Sequence, residues 1–308
     1  MSDSHDDLRP LLFSIAYRML GSVVEAEDMV QEAYVRYQRA VGEGAAVDDP
    51  KSYLCAVTTR LCIDHLRSAR VRRESYVGPW LPDPLLTGTV VPDGARIVED
   101  ADSVSMAFLL VLERLTPVER AVFLLHDVFD YGYGEVAEIV ARSEDNCRQL
   151  AVRARRHVRE ERRRSETSAD RREALADRFF EAVNDGDMDG LVELLAEDVA
   201  VVGDNGGVPP MWPRPIVGRD RVVALLAGLG RQTGELDVTM RRTEINGAPG
   251  ALVTDANGGL LYAILLDVAP GGIIEAVRTV RNPAKLAHLG PVGDLRAVMH
   301  SRGAGREG

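Results

Sequence analysis

Arginines are concentrated in one stretch of the chain, between Arg142 and Arg164. This stretch holds nine arginines and one histidine against four acidic residues. A guanidinium group can pair bidentately with guanine or with a phosphate, which makes arginine a common DNA contact. The stretch therefore predicts a nucleic-acid surface, although a solvated, arginine-rich helix would have the same composition.

Local signals place these arginines on the second helix of a helix-turn-helix. Gly132 precedes a short amphipathic segment, residues 133–140, and Ser143 stands where it can cap a second helix. A turn of three or four residues between two helices is typical of DNA-binding motifs, whose second helix enters the major groove. Residues predicted to pack between the two helices are Ala137, Cys147, Leu150 and Ala154. The predicted base-reading side chains are Asn146, Arg148, Gln149 and Arg153, and the predicted phosphate contacts are Arg155 and Arg156.

The net charge of the whole chain, −11, argues by itself against a nucleic-acid partner. This average hides an uneven distribution of charge along the chain, because acidic residues dominate residues 170–290 whereas the arginine-rich stretch lies before them. Such a distribution predicts a basic face joined to a separate acidic domain.

The cysteine pattern predicts no metal site and a reducing compartment. The chain has three cysteines without a CxxC pair, and no His or Cys cluster has zinc-site spacing. No apolar run is long enough to cross a bilayer. We therefore predict a cytoplasmic protein with no cofactor and no membrane partner.

The chain divides into three blocks. Residues 8–74 and 104–163 have helical periodicity, whereas residues 75–103 contain proline and glycine too densely for a helix. The last block begins as a helix, about residues 174–195, and continues as strand-like runs at residues 199–202, 236–243, 250–254, 260–268 and 273–280. The predicted fold is multidomain, with two all-α helical modules followed by an α+β domain. The expected bounds are 1–74, 75–103, 104–164 and 170–290, with a flexible tail at 291–308.

Two helices of the first block have faces of opposite charge. Ser22 followed by Glu25 is a capping-box pattern, which predicts a helix start. Opposite the apolar stripe of that helix lie three polar residues, Asp28, Gln31 and Glu32. The next helix, about residues 51–73, has polar residues that include Arg60, Asp64, Arg67 and Arg70. Solvated faces, and cations that favour a helix C-terminus, are the alternative explanations.

These motifs resemble a known family when they are taken as a pair. Residues 26–34, AEDMVQEAY, resemble the polymerase-binding helix of region two of sigma-70 factors, and residues 62–67, CIDHLR, resemble its −10 helix. Residues 113–120, ERLTPVER, together with the following CRQL and RARR segments, resemble region four. With only a linker between the two regions, residues 8–163 are identified as a member of the extracytoplasmic-function class.

The resemblance implies a protein that binds core RNA polymerase and directs transcription initiation at promoters. Its polymerase contacts would be the β′ clamp, through Asp28, Gln31 and Glu32, and the β flap. The −10 promoter element would be bound by Arg60, Asp64, Arg67 and Arg70. The helix-turn-helix would bind the −35 element.

The linker and the last block resemble a subgroup with a SnoaL-like C-terminal extension. Residues 80–84, WLPDP, are similar to its WLPEP-type linker motif, with Trp80, Leu81 and Pro82 as candidate regulatory residues. DANGGL stands where a DGGGK-type loop is expected, and NPAKL stands where NPDKL is expected. The candidates in these two segments are Asp255, Gly258, Gly259, Asn282, Pro283 and Lys285. Because Trp80 needs a place to bury, we predict that the C-terminal domain docks on the linker and the DNA modules.

A cone-shaped SnoaL-like domain leaves three roles open: regulation in cis, sensing of an unknown small ligand in its pocket, and catalysis. A pocket carboxylate could act as a general acid or base, and the candidates for an enzyme are Asp198, Asp204, Tyr262, Asp267 and Arg278. A repressor that uses only the helix-turn-helix is a further alternative. The paired motifs favour a sigma factor without enzymatic activity.

Overall fold

The computed structural model describes residues 6–74, 76–87, 104–162, 168–209, 213–233 and 236–304. It divides into two compact units. The first unit contains the helical segments up to residue 74 and from 104 to 162. The second contains residues 76–87 together with the chain from residue 168 onward, so this part of the linker packs with the C-terminal domain.

Three helices form the first module of the first unit: α1 (Arg9–Leu20), α2 (Val23–Gly42) and α3 (Pro50–Glu74). Helix α2 begins where the capping pattern predicts, and Ser22 Oγ accepts a hydrogen bond from the Glu25 amide at 3.5 Å. Of the predicted apolar stripe, Ala26, Val30 and Ala33 are at 0% exposure and Tyr37 is half-buried. The polar side of α2 therefore faces away from the module's core.

The second module contains α4 (Met106–Glu113), α5 (Pro117–Phe123), a π-helical turn (Leu124–Val128), α6 (Tyr133–Val140) and α7 (Glu144–Arg162). Thr116 and Glu119 form a capping box at the start of α5. Ser143 Oγ accepts from the Asn146 amide at 3.3 Å and caps α7. The four residues predicted to pack between α6 and α7 are all buried: Ala137, Cys147, Leu150 and Ala154. The predicted helix-turn-helix is confirmed.

The two modules pack against each other inside the first unit. Arg120 of α5 is buried and donates to the Met19 carbonyl of α1 at 2.5 Å and to Glu113 Oε1 at 2.8 Å. The guanidinium of Arg18 lies 5.4 Å from the centre of the Phe129 ring. Buried arginines are tolerated only when they are paired, so these contacts fix one specific packing of the modules.

The C-terminal domain opens with two helices, α8 (Ala169–Asp185) and α9 (Met188–Leu194), where the sequence predicts one. Gly186 separates them because it adopts the left-handed conformation, at φ +69°, that ends α8. Apolar side chains of both helices, including Phe179 and Leu191, pack on the sheet in one buried core.

Six strands form the sheet: β1 (Leu195–Asp204), β2 (Ile216–Val217), β3 (Val238–Ile245), β4 (Ala248–Asp255), β5 (Leu260–Ala269) and β6 (Ile273–Val280). Their order is β2-β1-β6-β5-β4-β3, with β1 and β6 parallel and the other pairs antiparallel. Helix α10 (Arg219–Thr233) packs against α8, α9 and β1. The predicted fold class is confirmed, but neither β2 nor α10 is among the predicted elements.

Part of the segment expected to form a flexible tail, residues 291–304, lies within the described structure and has backbone pairing and a helix. Leu260 exchanges backbone hydrogen bonds with Pro291 and Gly293 at 2.8 and 3.0 Å. Asp294 Oδ1 then accepts from two amides and starts α12 (Leu295–Ala304), after the short helix α11 (Pro283–Leu286). The segment is held because it extends the sheet beside β5 and carries its own helix cap.

Candidate functional site

The N-terminal half of α7 presents most of its predicted base-reading side chains outward. Arg148, Gln149 and Arg153 are exposed, whereas Asn146 is half-buried. Arg148 pairs with Glu144 at 2.6 Å and with Asp145 at 3.0 Å. These exposed pairs are weak, so DNA can displace them at little cost in free energy.

Farther along α7, the predicted phosphate contacts are held differently. Arg155 Nε donates to Asp127 Oδ1 at 2.6 Å, and its Nη2 donates to the Tyr133 hydroxyl at 3.2 Å. This hydrogen bond to the Asp127 carboxylate raises the pKa of the Arg155 guanidinium. Arg156 is exposed one residue later. Arg155 thus joins α7 to the π-helical turn, while Arg156 faces solvent.

The predicted polymerase contacts lie together on the outer side of α2. Asp28 and Gln31 are exposed, and Glu32 is half-buried. Glu32 pairs with Arg36 one turn later at 2.7 Å. Ion pairs of this spacing on a helix surface contribute only about 0.3–0.5 kcal/mol, so the carboxylate can be taken over by a partner.

Arg60 of α3 makes a contact that the sequence does not predict. Its Nε donates to the Ile139 carbonyl and its Nη2 to the Glu138 carbonyl, both at 2.8 Å. These are carbonyls of the last turn of α6, which have no partner inside their own helix. Arg60 therefore caps the first helix of the helix-turn-helix. Farther along α3, Asp64 and Arg67 pair with each other at 3.0 Å; the side chain of Arg70 lies outside the described residues.

Asp204, at the end of β1, binds the linker to the C-terminal domain. Its side chain is 0% exposed. Oδ1 accepts from the Tyr76 hydroxyl at 2.5 Å and from the Gly206 amide at 3.1 Å. Oδ2 accepts from the Leu81 amide at 2.9 Å and from Lys285 Nζ at 2.8 Å. A carboxylate with four donors is a fully satisfied buried charge.

Lys285 occupies the other side of this cluster. Its Nζ also donates to the Leu81 carbonyl and lies 4.2 Å from the centre of the Trp80 ring. Asn282 Nδ2 donates to the Tyr76 hydroxyl at 2.9 Å. Burial, and then the hydrogen bond to Asp204, raise the pKa of Tyr76. We call these six residues, Tyr76, Trp80, Leu81, Asp204, Asn282 and Lys285, the linker anchor.

The rest of the linker segment follows the tip of the β3–β4 hairpin. This hairpin turns through Asn246 and Gly247, both at positive φ, as in an Asn-Gly type I′ turn. Asn246 Oδ1 accepts from the Leu85 amide at 2.9 Å, and the Asn246 amide donates to the Leu85 carbonyl at 2.8 Å. Thr87 Oγ1 accepts from the Gly247 amide at 2.8 Å. Leu81 and Leu85 are 1% and 7% exposed, so the linker is part of the domain's core.

The two altered motifs have separate roles. In the loop DANGGL, Asp255 Oδ1 accepts from the amides of Asn257 and Gly259, and Gly258 takes a positive φ of +80°. A Cβ on Gly259 would lie 2.8 Å from the Cα of Gly293, so this glycine fits the close approach of the tail. In NPAKL, Asn282 caps α11 and Pro283 fills its first turn, which directs Lys285 into the linker anchor.

The five candidates for catalysis do not converge. Asp204 is committed to the linker anchor, and Asp267 pairs with Arg278 at 2.5 Å. Asp198 is exposed, and of the five only Tyr262 lines the domain's cavity. Within the described ranges, no three His, Cys, Asp or Glu side chains come close enough to hold a metal ion. Of the five candidates, only Tyr262 therefore stands where it could act on a molecule in the cavity.

The C-terminal domain contains a partly open cavity of about 460 Å³ between α8, α10, α12 and the sheet. Its walls are mainly apolar, and Arg281 lies among the residues that line it. Elsewhere in the described part of the chain, no helix is both long and apolar enough to cross a membrane.

Three family models match the chain in succession. Sigma-70 region 2 matches residues 5–72, and Sigma-70, region 4 matches residues 105–158. A SnoaL-like domain matches residues 176–273. The first two matches correspond to the two modules of the first unit, and the third lies in the second unit.

Two of the curated proteins to which the chain is similar come from Mycobacterium tuberculosis. The ECF RNA polymerase sigma factor SigJ is 36% identical over 303 residues, 96% of this chain and 96% of that protein. The probable ECF RNA polymerase sigma factor SigI is 39% identical over 217 residues, 70% of this chain and 71% of that protein. The crystal structure of SigJ matches with a TM-score of 0.75 at 34% identity, covering 93% of this chain and 98% of that one. Similarity to SigJ thus includes the helical modules, the linker and the C-terminal domain.

Proposed function

Because this chain belongs to the extracytoplasmic-function class of the sigma-70 family, we propose that its C-terminal domain regulates, through the anchored linker, how the two modules reach promoter DNA. The chain binds core RNA polymerase and directs transcription initiation, and sigma factors are not enzymes. The observation that carries the regulatory proposal is the burial of Leu81 and Leu85 in the C-terminal domain. The site of action is the cytoplasm.

The functional segments follow from this assignment. We assign residues 1–74 to the clamp and the −10 element, and residues 104–164 to the β flap and the −35 element. Residues 75–103 are the linker, and residues 170–290 are the regulatory domain. On α2, Asp28, Gln31 and Glu32 contact the β′ clamp. Asp28 and Gln31 are exposed on one side of the helix with the half-buried Glu32 beside them, which supports this role.

Promoter binding requires the two modules to separate. Centres of the −10 and −35 elements are about 25 base pairs apart, or about 85 Å along the helix axis at 3.4 Å per base pair. In the structure the modules are in direct contact, and Arg60, which we assign to the −10 element with Asp64, Arg67 and Arg70, is held by α6. To bind DNA, Arg60 must give up its hydrogen bonds to the carbonyls of Ile139 and Glu138.

Anchoring the linker limits this separation. Residues 75–103 can span about 100 Å when fully extended, which is enough for the promoter spacing. Residues 76–87 account for about 40 Å of that length, and the linker anchor and the Asn246 hairpin hold them on the C-terminal domain. Release of the linker therefore favours the separated, promoter-binding state.

We expect a linker-release variant, Leu81→Ala with Leu85→Ala, to initiate transcription faster than the parent chain. Each truncation removes a buried leucine and costs about 2–5 kcal/mol of linker packing. The measurement is promoter-directed transcription in vitro with core polymerase at saturating factor. Val77→Ala, at an exposed linker position, is the matched control. Equal or slower initiation by the double variant would refute restraint by the linker.

Base-reading and phosphate-contacting arginines should differ in a measurable way. We expect Arg148→Ala to weaken holoenzyme binding at the −35 element by about 1–3 kcal/mol, roughly 5- to 150-fold, and to relax preference at one base pair. Arg156→Ala should weaken binding to all −35 sequences alike and lower the salt dependence by about one phosphate contact. Binding titrations with −35 sequence variants at several salt concentrations separate the two effects. If both variants gave the same sequence profile and salt slope, the assignment of roles would be wrong.

A further inference from the structure

The cavity of the C-terminal domain has one strongly apolar side. Phe179, Phe180 and Val183 of α8 line it, together with Leu225 and Leu229 of α10. At about 460 Å³ it lies within the range of small-molecule sites, about 300–1,000 Å³. An apolar body of moderate size would be favourably buried there.

Three of the four polar side chains that line the cavity lie on its β5–β6 side, and the fourth, Asn184, belongs to α8. Tyr262 of β5 and Thr279 of β6 line it beside Arg281, whose guanidinium lies 5.7 Å from the centre of the Tyr262 ring. Thr279 Oγ1 is buried, and no hydrogen-bond partner for it exists among the described residues. A buried hydroxyl without a partner is uncommon in folded proteins, and a bound ligand is one way to satisfy it.

The charge of the lining is one-sided. Arg281 is its only charged side chain among the residues described, and no carboxylate lines the cavity. Burial lowers the pKa of Arg281, which reflects the cost of keeping its cation away from water. An anion placed in the cavity would offset that cost, because charge-assisted hydrogen bonds to guanidinium are strong.

We propose that this cavity binds an amphipathic carboxylate, with its hydrocarbon body against α8 and α10 and its carboxylate on Arg281 and Thr279. The site lies inside the C-terminal domain and includes none of the residues of the linker anchor. Helix α12 contributes Leu295 and Met299 to the lining, so the ligand also contacts the end of the described chain. The proposal goes beyond the regulatory function and does not depend on it.

Gly228 offers a way to fill the cavity without damaging the fold. It lies on α10 and lines the cavity, and a Cβ built on it meets no atom within 4 Å. Gly228→Leu therefore adds side-chain atoms where there is space, and it replaces a poor helix former. Gly230, two residues later, differs from Gly228, because a Cβ on Gly230 would lie 2.1 Å from the Val183 carbonyl oxygen.

The test is calorimetric titration of the full chain with three probes of equal chain length: decanoate, decan-1-ol and decyltrimethylammonium. We expect decanoate to bind at least 10-fold more tightly than decanol, and the cation not to bind. Arg281→Met should weaken decanoate by about 10- to 150-fold, the equivalent of one charge-assisted hydrogen bond, and leave decanol unchanged. Gly228→Leu should weaken both decanoate and decanol.

Thermal unfolding of each variant tests whether the domain remains folded, and we expect a cooperative transition in each. Absence of decanoate binding, equal binding of decanol, or an unchanged affinity in Arg281→Met would overturn the proposal. The titration measures ligand binding directly and without polymerase. A negative result would therefore refute the ligand proposal alone and would not change the interpretation of the linker-release experiment.

Discussion

Replacing Lys285 with methionine is expected to lower the free energy of unfolding of the C-terminal unit by about 3–5 kcal/mol. Methionine keeps much of the aliphatic stem of Lys285 but leaves Asp204 with a buried, uncompensated charge. The Leu81 carbonyl and the Trp80 ring lose their cation in the same step. Denaturant unfolding of the full chain measures the loss, and limited proteolysis within residues 76–87 shows whether the linker is released.

A surface arginine supplies the matched control for Lys285. Arg178 and Glu193 form an exposed pair at 3.6 Å in the same unit, so Arg178→Met should cost less than about 1 kcal/mol. Adding Asp204→Asn to Lys285→Met should recover part of the loss, because no unpaired charge then remains buried. A Lys285→Met chain as stable as Arg178→Met would show that the pair does not hold the linker.

Reversing the charge of Glu32 should abolish most polymerase binding. We expect Glu32→Lys to weaken the complex with core polymerase by at least about 100-fold, because a like charge in a complementary interface costs several kcal/mol. Within the chain, the new lysine would stand one turn from Arg36, and such repulsion costs only about 0.3–0.5 kcal/mol. Loss of binding would therefore not reflect loss of the fold.

Competition with a labelled factor for core polymerase, followed by transcription from a promoter, provides the measurement. Glu43→Lys, an exposed reversal at the end of the same helix, is the control and should retain full binding. If Glu32→Lys competes as well as Glu43→Lys does, the clamp contact assigned to α2 is refuted.

Elements with local signals were predictable from the sequence. The side-chain cap at Ser22, the turn before Ser143 and the strand at residues 273–280 depend on neighbours within a few residues. Helix α10 and the short strand β2 were not predicted because both depend on contacts with elements that are distant in the sequence: α10 packs on α8, and β2 pairs with β1. The pairing of Leu260 with Pro291 and Gly293 was likewise not predictable from neighbouring residues.

Contacts between distant residues explain what the sequence could not show of the site. Trp80 and Lys285 are both recognisable as motif residues, but nothing local indicates that they meet around Asp204. Asp204 itself is predicted as a catalytic candidate because a carboxylate in the pocket could act as a general acid or base. The structure instead surrounds it with four donors. Arg60 likewise contacts α6 across nearly eighty residues, and no periodicity encodes that contact.

The packing of Leu81 and Leu85 also determines where the gene can be divided. A chimaera that exchanges only the segment after residue 168 would leave these leucines facing a foreign surface, and an exposed apolar strand invites aggregation. Grafting the C-terminal domain onto another factor requires residues 76–87 to be transferred with it. Residues 76–87 pack with a domain whose other residues begin some ninety positions later in the chain. We therefore expect recombination between related genes to keep the two segments together.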